Sequence, residues 1–213
     1  MKKIKSFFAI AVFTALVFTF IGCAGVMFGT AARTGHLSKG LPERFFTDSK
    51  IEFDESKNVS YTFESKLADL LPLDKIWRGT LFIDLNPSFE SVLKYYMNSK
   101  YTVVDSGSGE YHIDIILEKS SGEGAYAGTE RASSGGSSVE LRNMKVTSEV
   151  TAKVRINVGG KISEREIMAM GEFIGNESDW GTITRSFDLA IRGVISRIDR
   201  FLNITIGAAT PDP

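Results

Sequence analysis

The chain has 213 residues, 43% hydrophobic and 24% charged, with a net charge of −1 and one cysteine. That length suits one domain plus tethers, and the near-neutral charge argues against a nucleic-acid binder, which must displace counterions from a polyanion. One cysteine cannot close an intrachain disulfide, so stability rests on the packed core.

Lys2, Lys3 and Lys5 head the chain, and residues 7–21 carry no charge. A basic head followed by an apolar core of about 15 residues describes an export signal, shorter than the ~20 residues of a spanning helix. The segment closes on Phe20, Ile21, Gly22 and Cys23. A small residue before a cysteine resembles the lipobox of bacterial lipoprotein signals, although Phe20 stands where leucine is usual. The resemblance implies diacylglycerol in thioether linkage on Cys23, cleavage before it, and fatty acylation (palmitate) of the new amino terminus. Each buried methylene adds ~0.8 kcal/mol, so two or three chains make a permanent anchor. Ala24 implies the outer membrane, facing the periplasm, in a double-membraned envelope, or the outer face of the cell membrane where there is only one. The competing reading is an uncleaved transmembrane anchor, since apolar character continues through Val26, Met27 and Phe28. Cleavage removes 22 residues and three lysines, leaving 191 residues of net charge −4.

After the signal at 1–22, residues 23–47 read as a lipidated terminus and tether, with Gly25, Gly29, Gly35, Gly40 and Pro42 at no fixed period. A single domain then spans 48–204. Residues 57–67 alternate as a strand with Val59, Tyr61 and Phe63 on one face, and 81–85 form a short buried strand. Asn86 and Pro87 open a helix over about 87–98, Asn as cap and Pro in the first turn. Its stripe is Phe89, Val92, Leu93, Tyr96 and Met97. Residues 101–104 are extended, 106–109 turn, and 111–118 form a strand with Tyr111, Ile113, Ile115 and Leu117 on one face.

Between 120 and 138, Gly and Ser fill 11 of 19 positions, which predicts a mobile loop too poor in apolar surface to order itself. Loops are favoured places for partner contact, and Tyr126 and Arg131 are its candidate contact residues. Residues 146–158 alternate as a long antiparallel strand with one wet face. Gly159 and Gly160 make a two-residue hairpin, and 162–173 return. A helix over about 182–202 gathers Ile183, Phe187, Ala190, Ile191, Val194, Ile195, Ile198, Phe201 and Leu202 within about 140° of arc. Residues 205–213 read as a disordered tail. The expected fold is α+β: a largely antiparallel sheet with two helices packed on one face.

No catalytic constellation stands out. His36 and His112 are isolated, so no metal site is expected. The glycines at 122, 124 and 128 lack the Gly-Lys-Ser/Thr of a phosphate loop, there is no Gly-x-Ser-x-Gly elbow, and Glu164 and Glu166 fall on a wet strand face. Trp77 and Trp180, at element boundaries, suit core lids whose indole N–H reaches a backbone carbonyl. No cofactor is expected.

The order formed by 81–85, the helix to Met97, Tyr101 to Val104, a long hairpin and a terminal helix through Ile198, Asp199, Arg200 and Phe201 resembles small envelope lipoproteins of the YajG type. It is more distantly similar to lipoprotein components of lipopolysaccharide export. The resemblance implies a non-catalytic binding or assembly module, with a protein partner in the envelope. Carriage of an apolar ligand such as a lipid is the alternative, and a cell-wall enzyme a lesser one.

Overall fold

The computed structural model describes residues 33–36, 54–69, 71–72, 81–105, 108–134, 137–176 and 179–209. The signal segment, Cys23 and Trp77 lie outside them. Arg33–Pro213 forms a compact unit around its own core.

The elements in chain order are β1 (Arg33–His36), β2 (Asp54–Ser65), β3 (Leu71–Pro72), β4 (Leu81–Asp84), α1 (Asn86–Lys100), β5 (Tyr101–Val103), β6 (Tyr111–Ser134), β7 (Ser137–Val158), β8 (Lys161–Asn176) and α2 (Trp180–Ala209). The fold is α+β. Five strands form the main sheet in the order β5-β2-β6-β7-β8, and a small sheet runs β1-β4-β3. The long pairings β6–β7 and β7–β8 are antiparallel, whereas β2 runs parallel to both β5 and β6. Residues 33–36, expected within the tether, pair instead with β4.

The parallel pairings require the chain to pass from one side of β2 to the other. Val103 and Tyr111 sit on opposite sides of Val59, so the chain changes sides of β2 at that level. The Val104 and Glu110 amides donate to the carbonyls of Val59 and Asn58, each at 3.0 Å. A Cβ on Gly109 would lie 2.8 Å from the Ser60 nitrogen. Only glycine lets two backbones approach this closely.

Both helices cover the same sheet face. Their rows meet Val59, Ile113, Ile115, Val150, Val154 and Ile156, all essentially without exposure. Phe89 of α1 stacks on Phe63 at 5.7 Å. Phe187, Ile191, Val194, Ile195 and Ile198 of α2 are likewise buried, each such burial adding about 1.5–3 kcal/mol. Asn86 does not cap α1, whose first turn has no side-chain cap. Its Oδ1 accepts from Ser65 Oγ at 2.7 Å instead. Asp179 does cap α2, accepting from the Gly181 amide at 2.8 Å.

Gly159 and Gly160 take φ of 55° and 84°, the left-handed pair that a two-residue hairpin turn demands. Residues 205–209, expected within the tail, are helical: α2 runs to Ala209, with Ile206 buried at 2% exposure. Trp180 packs against the core as expected, yet its buried Nε1 meets no acceptor among the described residues.

Candidate functional site

The 120–138 segment is the largest departure from expectation. It is strand, not loop: β6 continues to Ser134, β7 begins at Ser137, and the two stay paired to Ser134↔Ser137. Gly and Ser favour coil when isolated, but β7 supplies a continuous partner whose amides and carbonyls β6 satisfies. β8 pairs with β7 as far as Asn143, so the six pairs from Thr129↔Arg142 onward form a two-stranded arm about 20 Å long.

Two bulges shape β6 on the way to this arm. Glu118 and Ala127 are each an extra residue in β6, and Gly128 takes φ 119° beside the second. Each bulge reverses which parity of β6 residues faces the helices. After the second, Tyr126, Thr129 and Arg131 share one face with Met144, Arg142 and Glu140. Tyr126, 67% exposed, bonds Thr129 through its hydroxyl at 2.6 Å and lies under the Arg142 guanidinium at 5.9 Å. Arg131 pairs with Glu140 at 3.3 Å, their side chains 80% and 64% exposed. Such a pair is worth under about 1 kcal/mol, so Arg131 can exchange its partner at little cost. The two residues named from sequence thus fall on one exposed face.

Sequence reasoning missed a polar cluster where α1 meets α2. The Lys100 ammonium, on a side chain 10% exposed, pairs with Asp199 Oδ1. It donates to Asn203 Oδ1 at 2.6 Å and sits 5.8 Å and 5.6 Å from the ring centroids of Tyr96 and Tyr101. The Tyr96 hydroxyl donates to Asp199 Oδ1 at 2.8 Å. Burial first, then the charges of Tyr101 and Asp199, holds the Tyr96 phenol well above its ordinary value of 10. The signal was available as i,i+4 spacing: Tyr96 with Lys100 on α1, Asp199 with Asn203 on α2. Every member is matched within the cluster, which makes it a joint between helices and not an open site.

A third grouping has the residue types of a hydrolase. Ser60 Oγ lies 2.8 Å from His112 Nδ1, and His112 Nε2 lies 3.1 Å from Asp114 Oδ1, which also accepts from Thr62 Oγ1 at 2.7 Å. A nucleophilic serine must face its substrate. Ser60 is 1% exposed, where Gly109 closes on its backbone. The chain of bonds fastens β2 to β6 on the face away from the helices. No group of three or more metal-ligating side chains occurs among the described residues, and none of their helices is long and apolar enough to cross a membrane.

On the wet sheet face, Glu164 is bonded by Lys153 at 2.6 Å and Arg155 at 2.9 Å. These bonds, that of Lys153 first, lower its carboxyl below the ordinary 4.5.

No protein family and no curated protein matches the chain. Among solved structures it is similar to a homolog of the neuraminyllactose-binding hemagglutinin from Helicobacter pylori, at 12% identity and a TM-score of 0.38 over 73% of this chain and 88% of that one. It is also similar to rare lipoprotein B from Shewanella oneidensis, at 13% identity and TM-score 0.31 over 70% and 95% of the two chains. A hypothetical protein from Chlamydia trachomatis is similar at 13% identity and TM-score 0.33, with the same coverage.

Proposed function

We propose that the protein is a lipid-anchored lipoprotein of the bacterial envelope that serves a membrane complex as a non-catalytic binding or assembly module. The paired arm carries this reading. A folded protein gains little stability from six strand pairs extended beyond its sheet, with Tyr126 in water at their base. A rigid, two-edged element of that kind suits contact with another protein: its free backbone edges offer pairing, and Tyr126, Arg142 and Arg131 offer aromatic and cationic contacts. Cys23 supplies the anchor. The burial of Ser60 and the closed cluster around Lys100 argue for binding over catalysis.

Site-specific photo-crosslinking in living cells tests the reading. A benzophenone side chain at Tyr126 or Arg131 should give one discrete adduct with an envelope protein, while the same group at Lys119 in the sheet gives none. Equal adducts from all three positions, or none from the arm, would contradict it.

A further inference from the structure

We propose that the outward ridge of α2 is a docking face for an anionic phospholipid surface. The ridge runs Arg185, Leu189, Arg192, Ser196, Arg200 and Ile204, which fall within about 120° of arc over about 28 Å of helix. Arg185 and Arg200 are exposed and Arg192 half-buried, while Leu189 and Ile204 present apolar side chains at 40% and 61% exposure. Cations to meet phosphates, with scattered apolar groups to enter the headgroup zone, is the chemistry of an interfacial helix.

Charge is sorted between the two layers. Apart from the Lys100–Asp199 pair, the helices carry five basic side chains against two acidic ones. They do so within a mature chain of net charge −4. The opposite face of the main sheet carries Glu64, Asp114, Glu123, Glu149, Glu164, Glu166 and Glu172 against Lys119, Lys145, Lys153 and Arg155, and its Lys145, Lys153 and Arg155 are held in ion pairs with Glu172 and Glu164. Near an anionic leaflet this asymmetry turns α2 toward the lipid and the sheet away.

The tether points the same way. β1 lies against α2, and only residues 24–32 separate Cys23 from Arg33. At ~3.5 Å per residue, an acylated Cys23 keeps β1 within about 35 Å of the headgroups. The inference deepens the anchored reading, but its test uses unacylated protein, so failed docking and failed lipidation are read separately.

The mature chain from residue 23, with Cys23→Ser, is co-sedimented with vesicles of phosphatidylcholine alone and of phosphatidylcholine with phosphatidylglycerol. Binding should require phosphatidylglycerol and disappear at high salt. Arg185→Gln and Arg200→Gln should each weaken it about fivefold, Arg200→Lys should restore it, and Lys119→Gln on the sheet should leave it unchanged. Melting curves establish that each variant is folded; if Arg185→Gln, which takes a guanidinium off the Phe173 ring, is not, Arg200→Gln alone gives the reading. Equal binding to both vesicles, binding to neither, or equal loss in Lys119→Gln overturns the inference. So does retention by polyglutamate as strong as by vesicles, which would give the ridge to an acidic protein instead.

Discussion

Removing Asp199 should destabilise the domain more than removing Lys100, although the two form one ion pair. Asp199→Asn leaves an ammonium on a side chain only 10% exposed, with Asn203 and two tyrosine rings for company. Stranding one member of a fully buried pair costs about 3–5 kcal/mol. Asp199 is 36% exposed, so water already screens part of the attraction, and the rings return part of the loss; about 2–3 kcal/mol is expected. Lys100→Met keeps the stem's packing and leaves the Asp199 carboxylate bonded by Tyr96 at 2.8 Å and by Asn203 Nδ2 at 3.1 Å. That change should cost about 1 kcal/mol. The double variant should cost less than the sum by at least about 1 kcal/mol. Urea unfolding at constant m-value measures all three. Lys100→Met proving the costlier change, or strict additivity, would refute the view that the buried ammonium is the group needing compensation.

Gly171→Ala should loosen α2 from the sheet. The new Cβ would meet the Ser186 carbonyl oxygen, lie 2.6 Å from the Ala190 nitrogen and 2.9 Å from Leu189 Cβ. A loss of about 3 kcal/mol and faster amide exchange along α2 are expected, and unchanged protection would contradict the close contact. Tyr96 governs the alkaline limb of stability. Because its folded phenol lies above 10, the folded state keeps a proton that the unfolded chain releases. Its contribution is therefore whole below about pH 10 and falls as pH rises toward the folded value. Tyr96→Phe should flatten the stability loss between about pH 9 and about pH 11, and an unaltered slope would count against this.

The elements legible in the sequence were those whose period matched their burial. The stripe of α1, the alternation from Val146 to Val158 and the Gly159–Gly160 turn all read directly. The second half of β6 did not, because the bulge at Glu118 shifts its phase. Past it, Ser120, Gly122 and Gly124 occupy the helix-facing row, and none of them signals a strand. The parallel placement of β2 rests on pairings 52 residues apart, such as Val59 with Tyr111, which no local pattern encodes. Tyr126 and Arg131, the candidate contacts named from the sequence, do lie exposed, because large polar side chains in a Gly- and Ser-rich stretch have little apolar surface to cover them. Lys100 and Asp199 were not named, because a charged residue flanking an apolar stripe reads as solvated until a second helix covers it.

Edge protection explains one further feature. β8 is a 16-residue edge strand with Met168, Met170 and Ile174 exposed at 43%, 59% and 55%, which invites pairing with another chain. α2 lies directly over it at Gly171, and Arg197 donates to the Met168 carbonyl.

The anchor and the envelope role both turn on the fate of one sulfur atom. Mass spectrometry of the protein extracted from cell membranes should find an amino-terminal peptide that begins at residue 23, its thiol bearing diacylglycerol and its amine a fatty acyl chain. A chain that retains residues 1–22, or one with an unmodified Cys23, would contradict the anchor and the envelope role drawn from it.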